Sequence, residues 1–514
     1  MDIKSYFYTT EIREKINFKN ELLAGFTVAM TMIPESLSFA ILAGLSPLTG
    51  LYAAFMMGLV TAILGGRPGM VSGGAGATIV VLIALIRSHG VEYLFATVVL
   101  AGIFQVLVGV FRLGKFVRLI PQPVMFGFLN GLAVIIFMAQ VEQFKFVDAN
   151  GMVNWLQGTA LYVMLGLTAF TIAIVYFFPK MTKVVPASLI AIVIVFAIVL
   201  GFDIHTKTVA DIAHISGSLP DFHIPAIPVS LETLQIIFPY ALIMAGVGLI
   251  ESLLTLSMVD EITDSKGNAN KEAAAQGIAN ITNGFFGGMG GCAMVAQTLV
   301  NLNAGSRARL SGIIASVTIL IIILVGAPFI EKIPMAALVG VMMMVAISTF
   351  QWVSIRIVNK MPKSDIFVGM TVALITIVLH NLALAVLVGV IISALVFAWD
   401  NAKRIRARKY TDENGIKYYE IFGPLFFGSV TAFTDKFDPK NDPERVIVDF
   451  KESRIVDMSA IDALDKLSKR YARQNKKILL KHLSEDCRTM LKNAEAVIEV
   501  NIQEDPTYKV MPEK

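Results

Sequence analysis

Between Leu22 and Ala398 the chain is a succession of apolar segments, many of them about 18 to 25 residues long, the length that crosses a bilayer as a helix. In hydrocarbon the backbone must satisfy its own hydrogen bonds, so such segments are expected to form helices packed on one another. About fourteen are readable, near 22–43, 51–65, 76–87, 93–111, 123–140, 160–178, 184–202, 236–258, 273–287, 292–303, 310–328, 334–350, 365–379 and 382–399. Composition agrees: 55% of the 514 residues are hydrophobic and only 16% charged, too apolar for a soluble protein. From Asp400 onward charge becomes dense and no further span fits. The expected organisation is an N-terminal segment at 1–20, a polytopic α-helical transmembrane domain at 21–400 and a small α/β domain at 401–514. Residues 1–20 are charged and amphipathic with no cleavable signal pattern, so the first span is expected to direct insertion.

Loop charge sets the orientation. With the N-terminus inside, the inside segments hold Lys4, Arg13, Lys15 and Lys19, then Arg112, Lys115 and Arg118, then Lys180 and Lys183. Arg307 and Arg309 follow, then Arg356, Lys360 and Lys363, and finally Lys403, Arg404, Arg406, Arg408 and Lys409. The outside loops keep Arg87, Lys145, Lys207 and Lys332. That asymmetry is expected to place both termini on the cytoplasmic side of the membrane. The net charge of +4 gives no reason to invoke nucleic acid, because the positives sit at span ends. His205, His214 and His223 share one outside loop, but their spacing matches no compact metal site. Cys292 and Cys487, one intramembrane and one soluble, do not suggest a disulfide.

In the tail, Tyr418–Phe422, Arg445–Phe450 and Lys477–Leu480 have the composition of strands. Ser459–Tyr471 and Asp486–Ala494 have the apolar spacing of helices. No G-x-x-x-x-G-K-[ST] phosphate loop is present, which argues for a secondary transporter and against an ATP-driven one. No nucleophile–base constellation suggests an enzyme.

Two glycine clusters interrupt this apolar sequence: Ser72-Gly-Gly-Ala-Gly-Ala-Thr78 and Gly284-Phe-Phe-Gly-Gly-Met-Gly-Gly-Cys-Ala-Met-Val-Ala-Gln-Thr298. Glycines that serve close helix packing are spaced, whereas these are clustered, and paired Gly-broken segments in two halves mark a midplane site between inverted repeats. The shift that carries Ile33-Pro-Glu35-Ser-Leu onto Leu249-Ile-Glu251-Ser-Leu also carries Gly74 onto Gly290 and Ala77 onto Ala293. Short helices starting near Ala77 and Ala293 would present free N–H groups and partial positive charge to an anion. Thr78, Cys292 and Met294 would shape that site. Gln105, Asn130, Gln140, Gln297 and Asn301 are uncharged polar positions within spans, suited to bonding helix to helix, with Gln297 equally placed to join the site.

Glu35 and Glu251 are carboxylates inside apolar spans, functional candidates by default. Thr255 lies one turn after Glu251 on the same face, a pairing able to hold a sodium ion or a shuttled proton. Phe39 faces the same way as Glu35, one turn on. Each carboxylate could instead merely bond a neighbouring helix.

The run Ile33-Pro-Glu-Ser-Leu-Ser-Phe-Ala-Ile-Leu-Ala-Gly-Leu-Ser-Pro-Leu-Thr-Gly-Leu-Tyr52 resembles the first-span signature of the SulP anion transporters, known as SLC26 in animals. Phe111-Arg-Leu-Gly, Pro121-Gln-Pro-Val-Met-Phe-Gly-Phe-Leu-Asn-Gly131 and Gln276-Gly-Ile-Ala-Asn280 are similar to that family too, and the tail resembles a STAS domain. The resemblance implies fourteen transmembrane segments in two inverted repeats of seven, a core moving against a gate as an elevator, and a homodimer. It implies an anion site at Ala75, Gly76, Ala77 and Thr78 with Cys292, Ala293 and Met294. In sodium-dependent bicarbonate members an acid and a Thr four residues later bind sodium, and Glu251 and Thr255 match those positions.

Two departures bear on mechanism. Ala296-Gln297 stands where many members have a basic Ser-Arg pair, and Glu35 replaces a Gln common in sulfate permeases. The site has lost a positive charge and gained a carboxylate, so an anion needs a cation or protons beside it. The expectation is cation-coupled uptake of a small inorganic anion, sulfate or bicarbonate, with sodium or a proton as the coupling ion and no other cofactor. The alternatives are an uncoupled exchanger or channel, an organic dicarboxylate transporter, a nucleobase permease, or a membrane-anchored STAS signalling protein. In the tail, Ser459 is expected as the cap of a helix; its resemblance to the helix-start Ser of phospho-regulated STAS relatives implies, as the alternative, a regulatory position.

Overall fold

The computed structural model describes residues 17–114, 121–147, 153–181, 186–211, 217–379, 382–402, 404–484, 487–489, 491 and 502–503. The chain divides into two compact units, 1–390 and 391–514.

Every segment expected from hydropathy has its helix, the last of them running across the boundary between the units. The first repeat holds α1 (Phe18–Leu42), α2 (Pro47–Leu64), the broken pair α3 (Gly76–Val80) and α4 (Ile83–His89), α5 (Val91–Val110), α6 (Gln122–Glu142), α7 (Gly158–Met181) and α8 (Ala187–Gly201). The second holds α9 (Leu231–Thr263), α10 (Ala269–Phe285), α11 (Val295–Asn303), α12 (Leu310–Glu331), α13 (Met335–Thr349), the short α14 (Trp352–Arg356), α15 (Lys363–Leu379) and α16 (Leu382–Ala402). Among the described residues, eight helices are long and apolar enough to cross a membrane unaided. The short ones are tolerated where other helices cover their ends.

The packing repeats when the halves are exchanged. Helix α12 packs on α1 and α2 as α5 packs on α9 and α10; α6 packs on α15 as α13 packs on α7. Helices α2 and α10, equivalent to each other, pack together, as do α6 and α13. This is the inverted-repeat architecture that the glycine clusters implied. The α5–α10 contact is closest where Gly102 meets Gly277, since a Cβ on either would lie within 2.6 Å of the other's carbonyl oxygen.

The soluble unit carries strands β5 (Arg406–Thr411), β6 (Lys417–Phe422), β7 (Arg445–Glu452), β8 (Lys477–Lys481) and β9 (Ile502–Gln503) in that spatial order. The pair β5–β6 is antiparallel and the rest are parallel. Strand β5 was not expected, because Arg406, Arg408 and Lys409 hide its pattern; such charge suits an edge strand. Helix α17 (Val430–Thr434) and helix α18 (Met458–Ala472) pack together, and α18 lies against β8. Tyr419, Phe433, Phe450, Leu464 and Tyr471 are buried in the core. There Asp442 accepts hydrogen bonds from Lys417 Nζ (2.5 Å), Tyr419 OH (2.7 Å) and Tyr471 OH. Burial opposes its charge, but these donors win and hold its carboxyl below the usual carboxylate range.

One expectation is corrected here. The cap of α18 is Asp457, not Ser459: Asp457 is extended (φ −145°, ψ 176°) and its Oδ1 accepts the N–H of Ala460 at 2.9 Å. Ser459 is already inside the helix, exposed on its first turn. Most of the helix expected at Asp486–Ala494 lies outside the described residues.

Candidate functional site

The two glycine clusters meet. Strand β1 (Ser72–Gly73) pairs antiparallel with β4 (Cys292–Ala293), Ser72 opposite Ala293 and Gly73 opposite Cys292. Each cluster leaves the helix to make this crossing, so its backbone groups find partners in the other half. The crossing requires glycine: a Cβ on Gly291 would collide with the Gly73 carbonyl, and Gly290 sits at φ +72°.

This pairing corrects the expected helix starts. Helix α3 begins at Gly76 and α11 at Val295, while Ala293 remains extended in β4. Ala75 and Met294 are the caps, both extended and without a side-chain cap bond. Helix α11 thus presents its first turn beside the crossing, with the partial positive charge of a helix N-terminus. Helix α3 is five residues long and carries correspondingly little of that effect.

The expected residues gather around this crossing. Phe39 lies against Gly76, so closely that a Cβ there would collide with its ring. Thr78 donates to the Ala75 carbonyl at 2.9 Å, and its methyl approaches Gly248 on α9, which also faces Cys292. Met294, with Met32, flanks Gly73. Glu35 accepts a hydrogen bond from Gln297 Nε2 at 2.5 Å, joining the first repeat to the second. Glu251 accepts one from Cys292 Sγ at 3.0 Å. Thr255, fully buried, donates to the Glu251 backbone carbonyl at 2.8 Å, which leaves the lone pairs of its hydroxyl as acceptors. Ser252, next to Glu251, accepts the N–H of Ala293 at 3.0 Å and so ties α9 to β4.

Of the remaining polar positions, Asn130 bonds helix to helix, donating to Ser354 Oγ (2.9 Å), whereas Asn301 donates to the carbonyl of Gly69 in the turn after α2 (2.9 Å). Of the loop histidines, His205 contacts the Asp203 carbonyl, His223 stands 3.9 Å from Glu92, and His214 lies outside the described residues.

Several buried charged groups escaped the sequence reading. Glu21 accepts the N–H groups of Arg307 (2.7 Å), Ala308 (3.0 Å) and Ser311 (2.9 Å), anchoring the start of α12. Arg67 pairs with Asp260 at 3.2 Å, and Arg309 donates to the carbonyls of Ala62 (2.9 Å) and Gly65 (2.6 Å) that end α2. Glu272 accepts the N–H of Gly66 at 2.7 Å. Only its position before an apolar run, four residues before Gln276 and eight before Asn280, could have flagged Glu272.

Residues 18–372 match the model of the sulfate permease family, and residues 408–507 that of the STAS domain. The chain belongs to the sulfate permease family. It is 41% identical over 476 residues to the putative sulfate transporter YbaR of Bacillus subtilis, covering 93% of this chain and 97% of that one. It is 28% identical over 500 residues to the bicarbonate transporter BicA of a Picosynechococcus, covering 88% and 87%. The solved transmembrane domain of a cyanobacterial BicA aligns with TM-score 0.63 at 27% identity, over 76% of this chain and 99% of that one. Murine Slc26a9 in its inward-facing state, 19% identical, shares the fold at TM-score 0.79 over 94% and 89%. The chain is thus a multi-pass member of an anion-transporter family with a C-terminal STAS domain, and not an enzyme.

Proposed function

We propose that this permease takes up a small inorganic anion, sulfate or bicarbonate, by symport with a cation. The observation that carries the reading is the placement of Glu251, with Thr255 one turn on, beside the β1–β4 crossing. The anion would sit between the first turns of α3 and α11, walled by Phe39, Ala75, Gly76, Ala77, Thr78, Ala293 and Met294, with Cys292 at its back. No Lys or Arg reaches this point in the described residues. An anion there beside Glu35 and Glu251 is repelled unless something neutralises the carboxylates. A sodium ion on Glu251 and Thr255, or protons on the carboxylates, does so, and the anion then travels only with its cation.

The names of YbaR and BicA support sulfate and bicarbonate as the substrates to test. The same reading has the α1/α2/α5/α9/α10/α12 bundle moving against the α6/α7/α13/α15 bundle as an elevator. It has the protein working as a homodimer in a bacterial inner membrane, with both termini cytoplasmic. The STAS unit would serve assembly or regulation, with exposed Ser459 open to phosphorylation.

The test is uptake of labelled sulfate and bicarbonate into proteoliposomes under an imposed sodium or proton gradient. One anion accumulating under one gradient is expected. Equal, gradient-independent flux of the anion would leave an exchanger or channel instead.

A further inference from the structure

We infer that Glu272, Gln276 and Asn280 form a polar ladder on α10 that holds both halves of the crossing in register, as positioning residues of the proposed anion site. The three are spaced by four residues and therefore stack on one face of the helix. All are buried, at 1%, 0% and 0% exposure. Each reaches a different part of the broken backbone. Glu272 accepts the N–H of Gly66, where the chain leaves α2 on its way to β1. Gln276 Nε2 donates to Ser72 Oγ in β1 at 2.8 Å and to Glu272 Oε1 at 2.9 Å. Asn280 Oδ1 accepts the N–H of Gly291 at 2.9 Å, and its Nδ2 donates to the Gly291 carbonyl at 3.1 Å and to Gln105 Oε1 at 2.8 Å.

Asn280 therefore does for Gly291 what a neighbouring strand would do. Its amide offers one acceptor and one donor to the two backbone groups of the residue that leads into β4. The orientation of both amides follows from their partners: a backbone N–H demands the Asn280 oxygen, and a carboxylate demands the Gln276 nitrogen. Two-residue strands are too short to hold a register by their own bonds, since a one-residue slip moves every side chain to the other face. A slip here would turn Cys292 from Glu251 and displace the first turn of α11. One helix face thus links the N-terminal entry to β1 and the entry to β4, and through Gln105 it reaches the Ala245 carbonyl on α9.

This rests on the proposed anion site, so the test includes a readout that needs no transport. Full-length protein in membranes is treated with a small thiol reagent, and labelling of the Cys292 and Cys487 peptides is followed by mass spectrometry. Both thiols are free and buried, so Cys487, in the other unit, reports general unfolding. Asn280→Ala should speed labelling of Cys292 about tenfold and leave Cys487 unchanged. In proteoliposomes it should raise the anion KM by about tenfold and lower the maximal rate much less, as expected for a displaced binding group. Gln276→Leu and Ser72→Ala should each raise KM, and the double variant should be no worse than Gln276→Leu alone, because Gln276→Leu already deletes the bond to Ser72.

Unchanged Cys292 labelling and KM in Asn280→Ala, or additive effects in the Gln276–Ser72 cycle, would overturn the inference. If Asn280→Ala exposes both cysteines, the milder Ser72→Ala decides by the same readouts: Cys292 labelling faster with Cys487 unchanged supports the ladder, and no change refutes it. Should the wild type take up neither anion, the substrate reading fails while the labelling still judges the ladder.

Discussion

Helices α1 and α9 occupy equivalent places in the two repeats, and each carries a Glu-Ser pair at the crossing, Glu35-Ser36 and Glu251-Ser252. Their surroundings differ at every further position. One turn on, α1 has Phe39 against Gly76, while α9 has the buried hydroxyl of Thr255. Ser252 is tied to the Ala293 N–H, whereas the buried Ser36 hydroxyl has no hydrogen-bond partner among the described residues. Glu35 bonds across the repeats to the Gln297 amide, and Glu251 bonds to the Cys292 thiol of its own repeat. The scaffold is symmetric and the chemistry is not. The positive edge of an aromatic ring suits an anion and a carboxylate with a hydroxyl suits a cation, so on the proposed reading the two halves would divide the two ligands between them.

The sharpest way to break that division is Glu251→Gln, expected to cut gradient-driven accumulation about a hundredfold while downhill exchange survives. Glu35→Gln should leave gradient dependence in place, and equal losses in both variants would erase the asymmetry. Thr255→Val keeps the shape and removes the hydroxyl; the cation concentration giving half-maximal uptake should rise about tenfold, with the anion KM at saturating cation little changed. Phe39→Leu should do the reverse, raising the anion KM about fivefold at unchanged cation dependence.

The smallest effect on transport is expected far from either carboxylate. Asp442→Asn removes the charge that Lys417, Tyr419 and Tyr471 share, and should cost the soluble unit about 2 kcal/mol, read by denaturation of a tail-reporting probe. Because the folded carboxyl titrates below its usual range, this stabilisation is complete above the unfolded value of about 3.9 and is lost as pH falls through the lower folded value. Gradient dependence should not change in this variant. If it does, the division does not belong to α1 and α9 alone.

Much of this was legible in sequence because its cause is local. Span length, the Gly clusters and the Glu-Ser echo follow from neighbouring residues, and they correctly implied the helices and the paired breaks. What was missed is long-range. Glu21 sits at the edge of the first expected span and caps a helix nearly three hundred residues away, and Gln276 meets Ser72 from another repeat. No periodicity announces such pairs. The start of α11 was placed two residues early for the same reason: pairing with β1 keeps Cys292 and Ala293 extended, and that partner is invisible within the segment. Asp457 took the cap from Ser459 because its side chain reaches both Ala460 and Phe427, the latter brought near only by the fold.

The most direct test of the central claim is thermodynamic linkage in the purified protein. The dissociation constant of sulfate, and separately of bicarbonate, is measured while sodium concentration or pH is varied, in wild type and in Glu251→Gln. If the α9 half holds the coupling cation, saturation with that cation should tighten the transported anion about tenfold or more, and the anion should tighten the cation by the same factor. Both effects should vanish in Glu251→Gln. An anion affinity in the wild type that ignores both sodium and pH would contradict the account.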